Sequence, residues 1–121
     1  MLLAGIAVAG AIGALARYLV DAVVIRRAEN GLPAATLLIN VSGSFVLGVV
    51  TGLTLYHALP STPWTVLGTG FCGGYTTFST FAHEVVRLAE ERKNRAASLT
   101  LLLSIVVPAL VAALGLALAS L

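Results

Sequence analysis

Gly70-Phe71-Cys72-Gly73-Gly74-Tyr75-Thr76-Thr77-Phe78-Ser79-Thr80-Phe81 is the stretch on which the organisation of the chain turns. It lies in an apolar region, yet three glycines run into four hydroxyl residues within it. Each interior Gly costs about 1 kcal/mol of helix stability relative to Ala. Ser and Thr side chains also compete for backbone hydrogen bonds. A helix entering this stretch is therefore expected to break near Gly73 to Thr76.

On both sides the sequence is suited to lipid. From Asn30 to His83, 54 residues, there is no Lys, Arg, Asp or Glu. A helix needs about 20 apolar residues to cross the hydrocarbon layer, so this length holds two spans. Leu59-Pro60-Ser61-Thr62-Pro63 divides them: proline stops one helix, and Ser61 or Thr62 can cap the next with Pro63 at its first position. Before Asn30 a first span runs over about 2–25, with Arg17 and Asp21 one turn apart and close enough to pair. After a charged turn at 90–95 comes the uncharged run 96–121. The expected fold is an all-α membrane protein of one domain, with four transmembrane helices at about 2–25, 36–57, 63–89 and 96–121, the third broken near its middle. Strands are excluded by the length of the apolar runs and their lack of alternation. Small residues four apart, as in Gly5-Ala9-Gly13 and Gly48 with Gly52, predict close helix packing.

Composition removes several function classes. The chain is 59% hydrophobic and 10% charged, against about 45–50% apolar and about 25% charged in soluble domains. The net charge of +2 comes from basic residues in short turns without interleaved aromatics, which points to membrane topology and not to nucleic acid. Cys72 is the single cysteine, so no disulfide can form within the chain. Met1 to Ala16 carries no Lys or Arg, and the first segment is expected to be a permanent helix, not a cleaved leader. An enzyme is not expected: His57 and His83 lie near helix ends, and no Ser sits in a nucleophile motif.

Polar residues are costly inside a membrane and are functional candidates by default. Asn40 and Ser44 share a face of the second helix, Thr76, Thr77, Ser79 and Thr80 cluster in the third, and Thr100 and Ser104 are four apart in the fourth. Any single hydroxyl can simply bond back to its own helix; together they form a polar track. Carbonyls freed at a break are suited to a hard cation. Phe78 and Phe81, three apart, share a helix face beside the break. Their positive ring edges can face an anion, although a Phe pair alone is ordinary packing. Arg17 and Glu84 can border a water-filled vestibule.

Three stretches, Ala9 to Tyr18, Pro33 to Gly48 with Thr36, Asn40, Gly43 and Phe45, and Gly70 to Phe81, together resemble the CrcB (Fluc) family of fluoride channels. The resemblance implies a subunit of an antiparallel, inverted dimer with two pathways that export fluoride passively and relieve its toxicity. It implies a structural sodium ion, not transported, held by the backbone carbonyls of Gly73 and Thr76. It makes Phe78 and Phe81 the ring pair beside the ion path, Asn40 the supporting amide, Ser79 or Thr80 and Ser104 parts of the polar track, and Arg17 and Glu84 vestibule residues. Thr100, where the family often has Tyr, and Pro108 depart from the pattern.

A small four-helix multidrug transporter is an alternative, but it needs a carboxylate in the middle of its first helix, and Met1 to Ala16 has none. A non-conducting partner subunit is another. The turns at 26–33 and 90–95, with the nearby Arg87, hold Arg26, Arg27, Arg87, Arg92, Lys93 and Arg95, while the Pro60 turn and both ends of the sequence hold no Lys or Arg. This bias predicts cytoplasmic turns at 26–33 and 90–95 with the termini outside. It favours a heterodimer with an oppositely oriented paralogue over a homodimer of dual topology.

Overall fold

The computed structural model describes residues 1–25 and 34–121. The expected turn at 26–33, with Arg26 and Arg27, lies outside the described residues. Among the described residues the secondary structure is all helix, without strands. Helix α1 is Leu2–Ile25 and α2 is Ala34–Tyr56. The third region is composite: α3 (Ser61–Trp64), a π-helix (Thr65–Cys72), α4 (Gly73–Tyr75), a non-helical link over 76–78, and α5 (Ser79–Glu90). Helix α6, Asn94–Ala119, completes the set.

Helices α1, α2 and α6 are each long and apolar enough to cross a membrane. Leu3, Val8, Ile12, Leu15, Leu102, Leu110 and many other large apolar side chains are exposed on them. Such a surface is unfavourable in water and suited to lipid tails or another subunit.

Between helices the contact is largely backbone on backbone. Helix α2 packs along α6, and α1 packs along the π-helix and α4. A Cβ at Gly48 would strike the carbonyl of Ala112, one at Gly13 the carbonyl of Phe71, and one at Gly74 the carbonyl of Gly10. Small residues bring these axes close enough for dispersion to act without help from water. His57 Nε2 meets the Ala119 carbonyl at 2.8 Å and ties the ends of α2 and α6 together. Trp64 Nε1 donates to Thr51 Oγ1 at 3.0 Å and fixes α3 against α2.

The turn into α3 differs from expectation. Helix α3 begins at Ser61 with Pro60 at the N-cap, φ −55° and ψ 148°, and without a side-chain cap bond. Pro60 is held extended by its ring, so Pro63 falls inside the first turn, not at its first position. Two residues past the end of α2, Ala58 takes φ 55°, which turns the Leu59 N–H back to the Leu53 carbonyl at 3.3 Å.

Candidate functional site

The helix of the third region ends at Thr76, whose φ of −77° and ψ of 161° are extended. The break opens at the last residue of the expected range, because Gly73 and Gly74 remain helical within α4. What interrupts the ladder is a side chain from α2. Thr77 N–H, which in an unbroken helix would bond the Gly73 carbonyl, donates to Asn40 Oδ1 at 2.9 Å. Asn40 Nδ2 in turn donates to the Thr77 carbonyl at 2.9 Å. The carboxamide thus pairs with both backbone groups of Thr77 as a neighbouring peptide would. This satisfies both backbone groups of Thr77 and keeps one amide N–H of Asn40 in reserve.

Beyond the break the chain restarts on Thr77. Its hydroxyl accepts the Thr80 N–H at 3.3 Å and so caps α5. It also donates to Thr80 Oγ1 at 3.1 Å and lies 3.4 Å from Ser79 Oγ. Thr76 Oγ1 donates back to the Cys72 carbonyl at 2.8 Å. Phe78, 76% exposed, and Phe81, 5% exposed, follow. Their ring centroids are 5.2 Å apart with an interplanar angle of 75°, an edge-to-face pair.

An open groove of about 350 Å³ runs along this break, lined by Asn40, Ser44, Gly73, Thr76, Thr77, Phe78, Phe81, Ser104 and Pro108 among others. A second basin, of about 290 Å³, is lined by Arg17, Tyr18, Asp21, Thr36, Thr77, Ser79 and Thr80. The structure therefore brings Asn40, Gly73, Thr76, Phe78, Phe81 and Ser104 to one groove and puts Arg17, Ser79 and Thr80 in the other basin, with Thr77 common to both. Glu84 adjoins the second basin through Thr36, whose hydroxyl donates to Glu84 Oε1 at 3.1 Å. The buried Oε2 of Glu84 and the buried hydroxyl of Thr100 have no hydrogen-bond partner among the described residues.

Arg17 does not pair with Asp21. Its Nη1 donates across 3.2 Å to the Thr76 carbonyl, a fixed acceptor that the break exposes. Among the described residues no three His, Cys, Asp or Glu side chains cluster as metal ligands. Any cation here would rest on neutral oxygens. The sequence marked Thr77 only as one of a cluster of hydroxyls and not as the pivot, and it did not single out Tyr75, which is buried, meets Ser42 Oγ at 2.9 Å and stacks on Phe71. Their roles depend on which side chain of α2 faces them, and sequence spacing cannot supply that.

Comparison with known proteins bears on this site. The family model described as CrcB-like protein, Camphor Resistance (CrcB), matches residues 4–116. A protein of Leifsonia xyli named fluoride-specific ion channel FluC 1 is 56% identical over 95 residues, 78% of this chain and 69% of that one. One of Mycolicibacterium paratuberculosis, named FluC 2, is 42% identical over 117 residues, covering 97% and 93% of the two chains. A Methanocaldococcus jannaschii protein named FluC is 41% identical over 101 residues, 84% of this chain and 80% of its own. With the family model spanning nearly its whole length, the chain belongs to the CrcB family, whose members are ion channels and not enzymes.

Proposed function

We propose that this chain is one subunit of a two-subunit, antiparallel fluoride channel that exports the ion passively and so reduces its toxicity. The observation that carries the proposal is the alignment, over 97% of this chain, with a relative named as a fluoride-specific ion channel. The geometry is in keeping with it. Fluoride is small and holds its water tightly, so a selective path must replace that water with donors. The groove offers the spare amide N–H of Asn40, the hydroxyl of Ser104, and the positive ring edges of Phe78 and Phe81. Phe78 is largely uncovered within one subunit, and a second subunit laid on the groove would enclose it. Arg17, Ser79, Thr80 and, through Thr36, Glu84 would form the wider mouth of the path.

Sodium fits the break in its donor chemistry. Gly73 has lost its usual donor to Asn40, a Cβ placed on it would meet nothing within 4 Å among the described residues, and its carbonyl is a hard, neutral ligand. The Thr76 carbonyl retains one lone pair beside Arg17. Bound there, sodium would supply a positive charge to hold the broken segments of two subunits together.

Six Lys and Arg residues around the turns at 26–33 and 90–95, against none at the Pro60 turn and the ends of the sequence, orient the chain with those turns in the cytoplasm. A chain so biased inserts one way, which favours an oppositely inserted paralogue as partner. That partner could supply what Thr100 and Pro108 do not. Fluoride efflux from liposomes tests the proposal. Efflux is expected when the chain is reconstituted with its paralogue, with little chloride efflux, and it should stop when a large organic cation replaces sodium. Liposomes tight to fluoride with the chain alone and with the paralogue would refute the channel function. Labelling of Ser61→Cys from outside intact cells should modify nearly all molecules, whereas half would indicate dual insertion.

A further inference from the structure

At the turn between α5 and α6 a shallow basin of about 490 Å³ is lined by Arg92, Lys93, Asn94, Arg95, Ala96 and Leu99. Its charges are unequally engaged. Lys93 Nζ lies 2.8 Å from Glu91 Oε2, and Arg87 Nε lies 3.9 Å from Glu91 Oε1. Arg92 and Arg95 have no carboxylate partner among the described residues. Arg92 is also held at φ 59°, the left-handed conformation in which Gly is the usual helix-ending residue. There its N–H bonds the Ala89 carbonyl at 3.0 Å, and the next N–H, of Lys93, bonds the Leu88 carbonyl at 2.9 Å. A guanidinium thus stands where the backbone would prefer no side chain at all.

Below the basin the surface changes character. Arg95, Leu99, Leu102, Val106 and Leu110 follow a three- and four-residue spacing and so form one stripe of α6, and all are exposed. The groove residues Ser104 and Pro108 lie on the opposite side of the helix, so this stripe does not face the candidate ion path. A soluble anion would use the cations and leave the stripe idle, while a lipid tail alone would use the stripe and leave the cations idle. An anionic phospholipid uses both, its phosphate in the basin and an acyl chain along Leu99, Leu102 and Val106.

We infer that Arg92 and Arg95, above the Leu99–Leu102–Val106 stripe, form a binding site for the headgroup of an anionic phospholipid. The site requires the chain to span a membrane, and it holds whichever ion the chain conducts and whichever way it inserts. Cations near an anionic headgroup contribute about fivefold in affinity each, so the pair is worth about thirtyfold.

The test is retention of lipid by the purified full-length protein in detergent, counted by native mass spectrometry. The probes are phosphatidylglycerol and phosphatidylcholine with identical acyl chains. Preference for phosphatidylglycerol is expected, and it should fall about fivefold in Arg92→Gly and be lost in Arg92→Gly with Arg95→Gln. Arg92→Gly relieves the left-handed backbone and should not lower the melting temperature, which separates loss of binding from loss of fold. Arg92→Lys with Arg95→Lys should retain most of the preference. Equal retention of the two lipids by the wild type, or an unchanged preference in the double variant, would overturn the site. Displacement of phosphatidylglycerol by millimolar inorganic phosphate would overturn the lipid assignment.

Discussion

Helix α2 meets the rest of the chain in two ways. Along its later half Gly48 and Gly52 lie against Ala112, Leu116 and Ala119 of α6, with no room for a Cβ. Near its start Asn40 reaches out with a polar side chain and pairs with both backbone groups of Thr77. The first contact is intolerant of size, since even a single Cβ at Gly48 or Gly52 would strike α6. The second is intolerant of chemistry, since it needs a donor and an acceptor at fixed spacing. Packing brings the helices to their distance; the amide fixes where along α2 the third region is allowed to break.

That contrast can be broken at either contact. The largest effect is expected from Gly48→Val, which drives a branched side chain into the Ala112 backbone and should cost about 3 kcal/mol or more, since no flexible neighbour can yield. Folded protein recovered in detergent should collapse, and fluoride flux with it. Next comes Asn40→Ala, which strips the Thr77 N–H and C=O of their partner at about 1–3 kcal/mol for each group left dry. Asn40→Asp should be nearly as harmful, because a carboxylate accepts from Thr77 N–H and repels its carbonyl. A stable, fully conducting Asn40→Asp would show that the break does not depend on the amide.

The phenylalanines sharpen the comparison at a smaller scale. Phe81 is buried, so Phe81→Ile should lower the melting temperature, at about 1 kcal/mol, as well as impair flux. Phe78 is largely exposed in the single subunit, so Phe78→Ile should impair flux with little change in subunit stability. Equal thermal shifts for both would mean that Phe78 is covered in the assembly as fully as Phe81. The smallest effect belongs to the α5–α6 turn. Lys93, by hydrogen bond and charge, holds the Glu91 carboxyl below its ordinary value of 4.5. A lowered value in the folded state means that this pair stabilises the turn above about pH 4.5 and that the contribution fades as pH falls through the lowered value. The side chain is exposed, so the loss should be slight and screened by salt. It should be absent in Glu91→Gln, as amide exchange of Lys93 against pH would reveal.

The amino-acid pattern made the long helices legible, because uninterrupted apolar runs leave little else for a chain to do in lipid. The break in the third region was legible in kind, and it opens at the last residue of the expected range. Gly73 and Gly74 suggest unwinding, yet Gly74 serves the close approach to Gly10, and the opening begins only at Thr76. Arg17 looked like a partner for Asp21 because they are one turn apart. Its actual acceptor is 59 positions away, and local spacing cannot reveal an acceptor that exists only after the third region has opened. Ser79 and Thr80 were grouped with Asn40 by composition, whereas the turn through Thr77 and Phe78 delivers them to the neighbouring basin.

The π-helix over Thr65–Cys72, where Gly73 N–H reaches back five residues to the Gly68 carbonyl, bears on how this protein can change over time. A wider turn carries the slack of roughly one extra residue. Deleting a single position within it, Val66 or Thr69 for instance, would let the segment relax into an ordinary α-helix without loss of backbone bonds. The wide turns already absorb that residue's step of about 100° around the axis, so the downstream segment would keep its facing and Thr77 would stay opposite Asn40. Single-residue insertions and deletions are accepted readily in the turns of such a chain. Here the loss of one residue would be silent locally and at a distance, whereas a gain would find no slack left, so descendants of this sequence should shorten 65–72 by one residue more readily than they lengthen it.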